Sequence, residues 1–226
     1  MKLIPMMKSV HFWMAVGCAV FWCTTTSHAA LQTQVFPFDY AGGPFPEFTI
    51  DKFDSMGGTR TLTGVTIELD GTTSLDVQAE NFSNAPVTDW FVDFAVFPRL
   101  EILDAKKTSF PLGTAGFPHF EADFAPSDGI EGSGDDFVQF PTAVADIHAD
   151  IEVFPADFPI FQGGGSSPAL LTLPFSIAIP PGPIGFDFSR RDVGTVSLTY
   201  EYVPEPSTFA LLTLGGVLIT RRRRGL

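Results

Sequence analysis

Short runs in which apolar and polar side chains alternate constrain the fold of this chain more than any other feature. The clearest run spans residues 143–154 and alternates over its whole length. Such a pattern predicts a β-strand with one face in the core and one face in solvent. No stretch between the two ends of the chain keeps an apolar period of 3.6 residues for three turns, so helices are not expected to build the core. The apolar set is Ala145, Ile147, Ala149, Ile151 and Val153, and the polar set is Asp146, His148, Asp150 and Glu152.

Other alternating runs predict further short strands joined by turns. Residues 61–69 and 73–81 are predicted to form a hairpin, because Asp70-Gly71 between them is a common turn sequence. Residues 88–97 are apolar on both faces, which predicts a central strand that buries Trp90 and ends at Pro98. The remaining predicted segments are a loop-rich stretch at 31–59, strands at 119–124 and 195–203, and a strand at 171–179 that Pro174 assigns to a sheet edge or a bulge.

These segments favour an all-β fold, an antiparallel β-sandwich, with a β-barrel as the second choice. The β domain is expected at residues 30–203. A signal peptide is expected before it, at 1–29, and a sorting or anchor segment with a short hydrophobic helix after it, at 204–226. With 24 Phe residues and 45% apolar residues, the chain can build a core.

The amino end has the features of a secretory signal peptide. Lysines precede an apolar run at residues 10–23, and small residues follow it. Cleavage is expected after Ala29, with cleavage after Ala30 as the less favourable site and an uncleaved anchor as the alternative interpretation. Cys18 and Cys23 both lie in this segment, so the mature chain is expected to have neither disulfides nor thiolate chemistry.

The last 24 residues, 203–226, have three parts. The two prolines of 203–207 remove backbone donors and predict an extended, accessible hinge that does not continue a strand. Residues 209–220 carry no charge and would be about 18 Å long as a helix, which is short for a bilayer core of roughly 30 Å. Four consecutive arginines follow: Arg221, Arg222, Arg223 and Arg224. Such a positive cluster is expected to stay on the cytoplasmic side of the membrane, which places the preceding chain outside.

A Pro-Glu-Pro motif, an apolar run and an arginine cluster in this order resemble the PEP-CTERM sorting signal of Gram-negative bacteria. The resemblance implies that Pro204, Glu205 and Pro206 form the motif recognised by exosortase, an integral-membrane cysteine transpeptidase that processes such tails. The alternative is a permanent membrane anchor that is not cut, and it has the same topology. Either way, the partners expected are the Sec export machinery, signal peptidase and the membrane.

The body has a looser resemblance. The sequences LTGVTIELDGTTSLDVQAEN, GSGDDF, LLTLPFSIAI and VSLTYEYV together resemble the choice-of-anchor E domain, a bacterial surface-exposed β domain found with alternative C-terminal anchors. The resemblance covers about residues 35–203. It implies a β fold and a surface location, and no activity.

The charge of the body excludes one class of partner. Six of the 13 basic residues lie in the two end segments, and all 26 acidic residues lie between Asp39 and Glu205. The stretch from Asp39 to Glu205 therefore has 7 basic and 26 acidic side chains, a net charge of −19. Binding to nucleic acid phosphates needs a basic surface, so a nucleic acid partner is not expected.

A glycine-rich acidic loop at residues 128–136 is the best candidate for a metal site. Ca²⁺ takes six to eight oxygen ligands from carboxylates and carbonyls, and glycines let backbone oxygens turn inward. The spacing does not fit an EF-hand, and a solvated acidic turn without any cofactor is the other interpretation. The candidate calcium ligands are Asp128, Glu131, Asp135 and Asp136.

Signs of catalysis are weak. His148 lies on the polar face of its predicted strand beside Asp146 and Asp150, but no second histidine stands at a useful spacing for zinc or iron. The chain has no Gly-x-Ser-x-Gly motif, no phosphate-binding loop and no dinucleotide fingerprint. The expectation is therefore an exported, non-catalytic cell-surface or extracellular-matrix protein, which binds exopolysaccharide or serves a structural role. The alternatives are a calcium-dependent adhesion or carbohydrate-binding module and a secreted hydrolase.

Overall fold

A computed structural model describes residues 28–103, 106–117 and 119–205 of the chain. These residues are mostly β-strand, with one 3₁₀ turn at Pro155–Asp157 that leads into the four-residue helix α1 at Phe158–Phe161. The strands are β1 Ala30–Tyr40, β2 Glu47–Asp51, β3 Arg60–Asn81, β4 Val87–Val96, β5 Arg99–Ile102, β6 Thr108–Pro111, β7 Ala115–Gly116, β8 Phe120–Phe124, β9 Phe137–Gln139, β10 Ala143–Glu152, β11 Ser166–Thr172, β12 Phe175–Ala178 and β13 Ile184–Pro204.

One long antiparallel sheet forms one layer of the fold. Its order is β1-β13-β3-β10, and β9 pairs with β3 beyond the end of β10. Two shorter antiparallel sheets form the opposing layer, one ordered β2-β11-β5-β6 and one ordered β12-β4-β7 with β8 also on β4. The all-β sandwich expected from the alternating runs is confirmed.

The core consists of two apolar clusters that follow one another along the long sheet. The first lies between the long sheet and the β2-β11-β5-β6 sheet, and it buries Phe53, Tyr200 and Phe161 among others. The second lies under β4, where Trp90 packs edge-on against Phe124 at 5.7 Å between ring centroids. The predicted central strand and the buried tryptophan are therefore confirmed, since Trp90 is 2% exposed.

The predicted hairpin at Asp70-Gly71 is wrong. Residues 60–81 form one continuous strand, β3, which pairs with β13 along its whole length. The residues on either side of Gly71 keep the same alternation, so one face of β3 points inward throughout. A turn sequence that is favourable locally is overridden here because β13 offers an equally long partner strand.

The stretch 31–59 is not the loop region predicted, because it contains β1 and β2. The β1 strand pairs with β13 from Ala30↔Tyr202 to Tyr40↔Asp192. Its alternation is inverted near its start, where Leu31 and Val35 are exposed. The Gln34 side chain instead exchanges two hydrogen bonds with the backbone of Asp51, at 2.8 and 2.7 Å. A polar side chain thus fills a position where the sequence pattern would favour an apolar one.

Pro174 divides the predicted strand 171–179 into two. The first part belongs to β11, which lies between β2 and β5, and the second part is β12 at the edge of the β4 sheet. The sequence predicts an edge strand or a bulge for this run, and the edge position holds only for the part after the proline. The strand predicted at 143–154 is confirmed as β10, with Ile147 and Val153 buried.

A buried ion pair separates the two apolar clusters. Arg190 and Asp192 both face the interior from β13, with Arg190 Nη2 2.7 Å from Asp192 Oδ2 and Arg190 Nε 2.9 Å from Asp192 Oδ1. Arg190 Nη1 also donates to the carbonyl oxygen of Leu173 at 3.0 Å. These bonds compensate two charges that would otherwise be costly to bury.

Candidate functional site

The carboxyl end of the body is held against the sandwich. Pro204 is the last residue of β13 and pairs with Arg60 of β3. Glu205 follows in place, because its backbone N–H donates to the Thr59 carbonyl oxygen at 2.8 Å and its Oε1 accepts from the Thr61 hydroxyl at 3.2 Å. The prediction of a hinge is therefore wrong for residues 203 and 204, which continue the strand and its pairing, and Glu205 is held by hydrogen bonds just beyond it. Pro204 and Glu205 are nevertheless exposed, as a recognition motif requires.

The other end of the body lies beside this one. Ala30 is the first residue of β1 and pairs with Tyr202 of β13, and Ala29 stands immediately before the strand. The two ends of the body therefore leave the sandwich at the same place. The predicted cleavage after Ala29 would give a mature chain whose first residue, Ala30, is paired with Tyr202 in the sheet.

Several sequence predictions fall outside the described residues. These are the signal peptide up to residue 27, Pro206, the apolar run 209–220, and Arg221, Arg222, Arg223 and Arg224. Within the described residues, no helix is both long enough and apolar enough to cross a membrane.

The acidic loop lies at the opposite end of the sandwich, where β3 ends at Asn81. Asp136 is 1% exposed, and its Oδ2 accepts from the Asp128 backbone N–H at 2.9 Å. Asp128 Oδ1 accepts in turn from the Ile130 N–H at 2.7 Å. Two of the four predicted calcium ligands, Asp128 and Asp136, are thus brought together. Asp136 is buried, whereas Asp128, Glu131 and Asp135 are exposed.

Sequence reasoning missed two residues that hold this loop. Glu80 is 7% exposed, and its Oε2 accepts from the Gly132 N–H at 3.0 Å. The fully buried Asn81 donates from Nδ2 to the carbonyl oxygens of Ala85 and Ala125, at 2.8 and 2.7 Å. Glu80 stands on the polar face of an alternating strand, so no local signal indicated its burial. The loop that covers it follows about fifty residues later in the sequence.

The histidines lie on exposed strand surfaces. His148 has Asp70 of the neighbouring strand as its closest acidic partner, at 3.9 Å, rather than Asp146 or Asp150. His119 Nδ1 lies 2.8 Å from Asp93 Oδ1, and its ring stacks on Phe91. Across residues 28–103, 106–117 and 119–205, no group of three or more His, Cys, Asp or Glu side chains is placed to hold a metal ion.

A groove of about 200 Å³ lies on the solvent side of the long sheet, next to the acidic loop. The Phe82 ring fills the space that a side chain at position 185 would take, with its Cδ2 and Cζ atoms 3.1 and 3.4 Å from where a β-carbon there would stand. Phe82 is nevertheless 59% exposed, so part of the ring remains open to solvent. Polar side chains surround the ring, and the groove continues along the sheet past Ser189; its polar residues are Gln78, Glu80, Glu131, Asp187, Asp76 and Gln139.

Comparison with solved structures shows only distant likenesses. The VP2 subviral particle of infectious bursal disease virus is 12% identical over 85% of this chain and 50% of that chain, with a TM-score of 0.14. The structure of the Gx strain of the same virus is 11% identical over 88% of this chain and 50% of that chain, with a TM-score of 0.16. The chain spans about half the length of these proteins, and at such TM-scores the likeness carries no inference. No curated protein matches this chain.

The tail does match a known family. The family model of the PEP-CTERM protein-sorting motif matches residues 203–224, the stretch that begins where β13 ends and includes Pro204, Glu205 and Pro206. The motif implies exosortase-dependent sorting of an exported protein and its association with the cell surface. The chain is therefore a PEP-CTERM protein, and its sorting motif begins in the last two residues of β13, at the end of the β-sandwich.

Proposed function

We propose that this protein is a non-catalytic component of the cell surface or extracellular matrix, displayed by a tail at one end and binding polysaccharide at the other. The observation that carries the proposal is the pairing of β3 with β13. This pair runs from Arg60↔Pro204 to Asn81↔Ile184, with one shift of register between Glu201 and Tyr202. A strand of 22 residues spans roughly 70 Å when extended. Pro204 of the sorting motif and the groove beside Phe82 therefore lie at opposite ends of a long body.

Such a shape suits display from a membrane. Ala30 and Pro204 both lie at the same end of the body. While the tail is in the membrane, this end of the body faces the membrane. The groove and the acidic loop then point away from the membrane. A binding surface at the far end meets material outside the cell without obstruction from the bilayer.

The groove favours a carbohydrate as the ligand. A partly exposed aromatic ring held by the backbone beneath it gives a sugar ring an apolar surface to stack on. Gln78 and Gln139 offer amide donors and acceptors beside it, and Asp187 offers carboxylate acceptors. With several carboxylates along the groove, a neutral polysaccharide is favoured over an anionic one, because like charges repel.

Sorting is tested on the protein from its native host by intact mass and C-terminal peptide mapping. We expect the mature chain to end close to Pro206, with residues 209–226 missing, and deletion of the exosortase to restore them. A mature chain that keeps Arg221 to Leu226 in the wild-type host would show that the tail is a permanent anchor and that it is not cleaved.

Carbohydrate binding is tested by co-sedimentation of the full-length protein with neutral polysaccharides from its host. Phe82→Ala should weaken binding about tenfold, since aromatic contacts of this kind contribute on the order of 1 kcal/mol or more. Phe154→Ala is the matched control, because Phe154 is 77% exposed and follows β10 near the tail end of the body. Equal loss in both variants, or no binding by the wild type, would overturn the groove assignment. Release of new reducing ends during the assay would instead support the secreted hydrolase.

A further inference from the structure

The acidic loop contains two carboxylate oxygens that face the same glycine, and one of them is buried without a hydrogen-bond partner in the described part of the chain. A β-carbon at position 134 would stand 2.5 Å from Asp128 Oδ2 and 2.8 Å from Asp136 Oδ1. The two oxygens therefore lie within roughly 5 Å of each other, a span that one Ca²⁺ bridges with Ca–O distances of about 2.3–2.6 Å. Gly134 has φ +82° and no side chain, so its backbone can approach both oxygens.

Asp136 Oδ1 is the observation that points to a ligand. The residue is 1% exposed, and this oxygen has no hydrogen-bond partner among the described residues. The Oδ2 atom of the same carboxylate is bonded to the Asp128 N–H, which fixes the direction in which Oδ1 points. A buried carboxylate oxygen without a partner is costly, and a second carboxylate oxygen facing it adds repulsion. A bound cation would relieve both costs.

The loop is also held in advance of any binding. Asp128 Oδ1 is occupied by the Ile130 N–H, which leaves Oδ2 free to turn toward Asp136. Asn81 N–H donates to the Asp136 carbonyl oxygen at 2.9 Å, and Glu80 holds the Gly132 N–H. Ordering of ligands before the ion arrives lowers the entropy cost of binding.

We propose that Asp128 and Asp136 hold one Ca²⁺ ion in the loop 128–136, with backbone carbonyl oxygens and water completing its shell. Mg²⁺ needs near-ideal octahedral geometry and gives up its water reluctantly, whereas Ca²⁺ accepts irregular shells rich in carbonyl oxygens, as a glycine-rich loop offers. The proposed site uses two of the four candidate ligands, Asp128 and Asp136. It goes beyond the proposed function and does not depend on sorting or on polysaccharide binding.

The test is calorimetric titration of CaCl₂ into the full-length protein, purified in detergent and treated with a chelator. The wild type should bind one Ca²⁺ per chain. Asp128→Asn keeps an oxygen for the Ile130 N–H and removes the charged ligand, so it should weaken Ca²⁺ binding about tenfold or more. Asp135→Asn is the matched control, with the same change of charge in the same loop, and should stay within about twofold of the wild type.

A second measurement does not need a variant. In the wild type, saturating Ca²⁺ should slow hydrogen exchange of the amides of residues 129–134 and leave those of β10 unchanged. The proposal is wrong if the wild type binds no Ca²⁺, if Mg²⁺ binds as tightly, or if the loop amides exchange equally with and without Ca²⁺. Equal weakening by Asp128→Asn and Asp135→Asn would also overturn it, since diffuse attraction to an acidic loop would then explain the binding.

Discussion

Gly71 of β3 lies directly opposite Gly194 of β13, on the inward face between the two apolar clusters. A β-carbon on Gly71 would stand 2.6 Å from the carbonyl oxygen of Val193, and one on Gly194 would stand 2.9 Å from Cζ of Phe38. The two longest strands therefore approach each other here more closely than any side chain would permit.

Gly71→Ala should destabilise the protein by about 1–3 kcal/mol, because the added methyl group has to push backbone atoms aside. Urea unfolding followed by far-UV circular dichroism measures this change. Gly116→Ala is the control, since Gly116 also lies in a strand, β7, but has no atom within 4 Å of a β-carbon there. Equal stability of the two variants would contradict the close approach.

The buried ion pair predicts a large effect of removing one partner. Asp192→Asn should cost about 3–5 kcal/mol, because it leaves the Arg190 charge buried and uncompensated. Arg190→Met with Asp192→Leu should cost less than the single change, since both buried charges are then gone.

Arg191 gives a matched control for this prediction. It is the neighbour of Arg190 but points outward, where it forms an exposed ion pair with Asp39 at 2.6 Å. Arg191→Met should change the free energy of unfolding far less than Asp192→Asn, because water screens an exposed pair. A loss as large as that of Asp192→Asn would show that burial does not control the effect.

Tyr200 predicts how stability responds to alkaline pH. Its hydroxyl is buried and donates to the Asp51 carbonyl oxygen at 2.9 Å, and burial raises the pKa of this hydroxyl above its ordinary value. Tyrosine in the unfolded chain ionises near pH 10, while the folded protein keeps the proton. The stabilising contribution is therefore complete below about pH 10 and is lost as the pH rises further.

Urea unfolding at successive pH values measures this dependence. Tyr200→Phe should lower stability by about 1 kcal/mol at pH 7, because the Asp51 carbonyl oxygen loses its donor. The same variant should show a shallower fall in stability above pH 10. An identical fall in both proteins would assign the alkaline sensitivity to other groups.

Processing of the tail should depend on the motif and not on its contacts with the body. Replacement of Pro204, Glu205 and Pro206 by alanine should leave residues 209–226 on the mature chain, as measured by peptide mapping from the native host. Thr61→Val removes the hydrogen bond to Glu205 but leaves the motif intact, so its chain should be cut normally. Retention of the tail in the Thr61→Val variant would show that the body presents the motif to the enzyme.

Part of the fold could be predicted because alternation is a local property. The run at 143–154 and the strand around Trp90 carry their burial pattern in consecutive residues, so β10 and β4 were predictable. The same local signal failed at Asp70-Gly71, where a turn was predicted inside a continuous strand. It failed again in β1, whose Gln34 faces a backbone partner that is distant in sequence.

The calcium candidate shows the same division. Acidic and glycine residues marked the loop, but sequence spacing gave no reason to separate Asp128 and Asp136 from Glu131 and Asp135. The structure makes that distinction, because Asp136 is buried and the Asp128 carboxylate lies close to it beside Gly134. Glu80 and Asn81 at the end of β3 hold the loop in this arrangement.

The sequence by itself determined the sorting motif, the all-β class and the acidic character of the body, because each depends on residue types and their order along the chain. Only the tertiary structure decided that β3 and β13 run unbroken past Gly71 and Gly194, and that Pro204 and the groove lie at opposite ends. The physical reason is that strand pairing and burial are set by partners far away in sequence. A local preference for a turn or a loop loses when a long partner strand satisfies every backbone hydrogen bond.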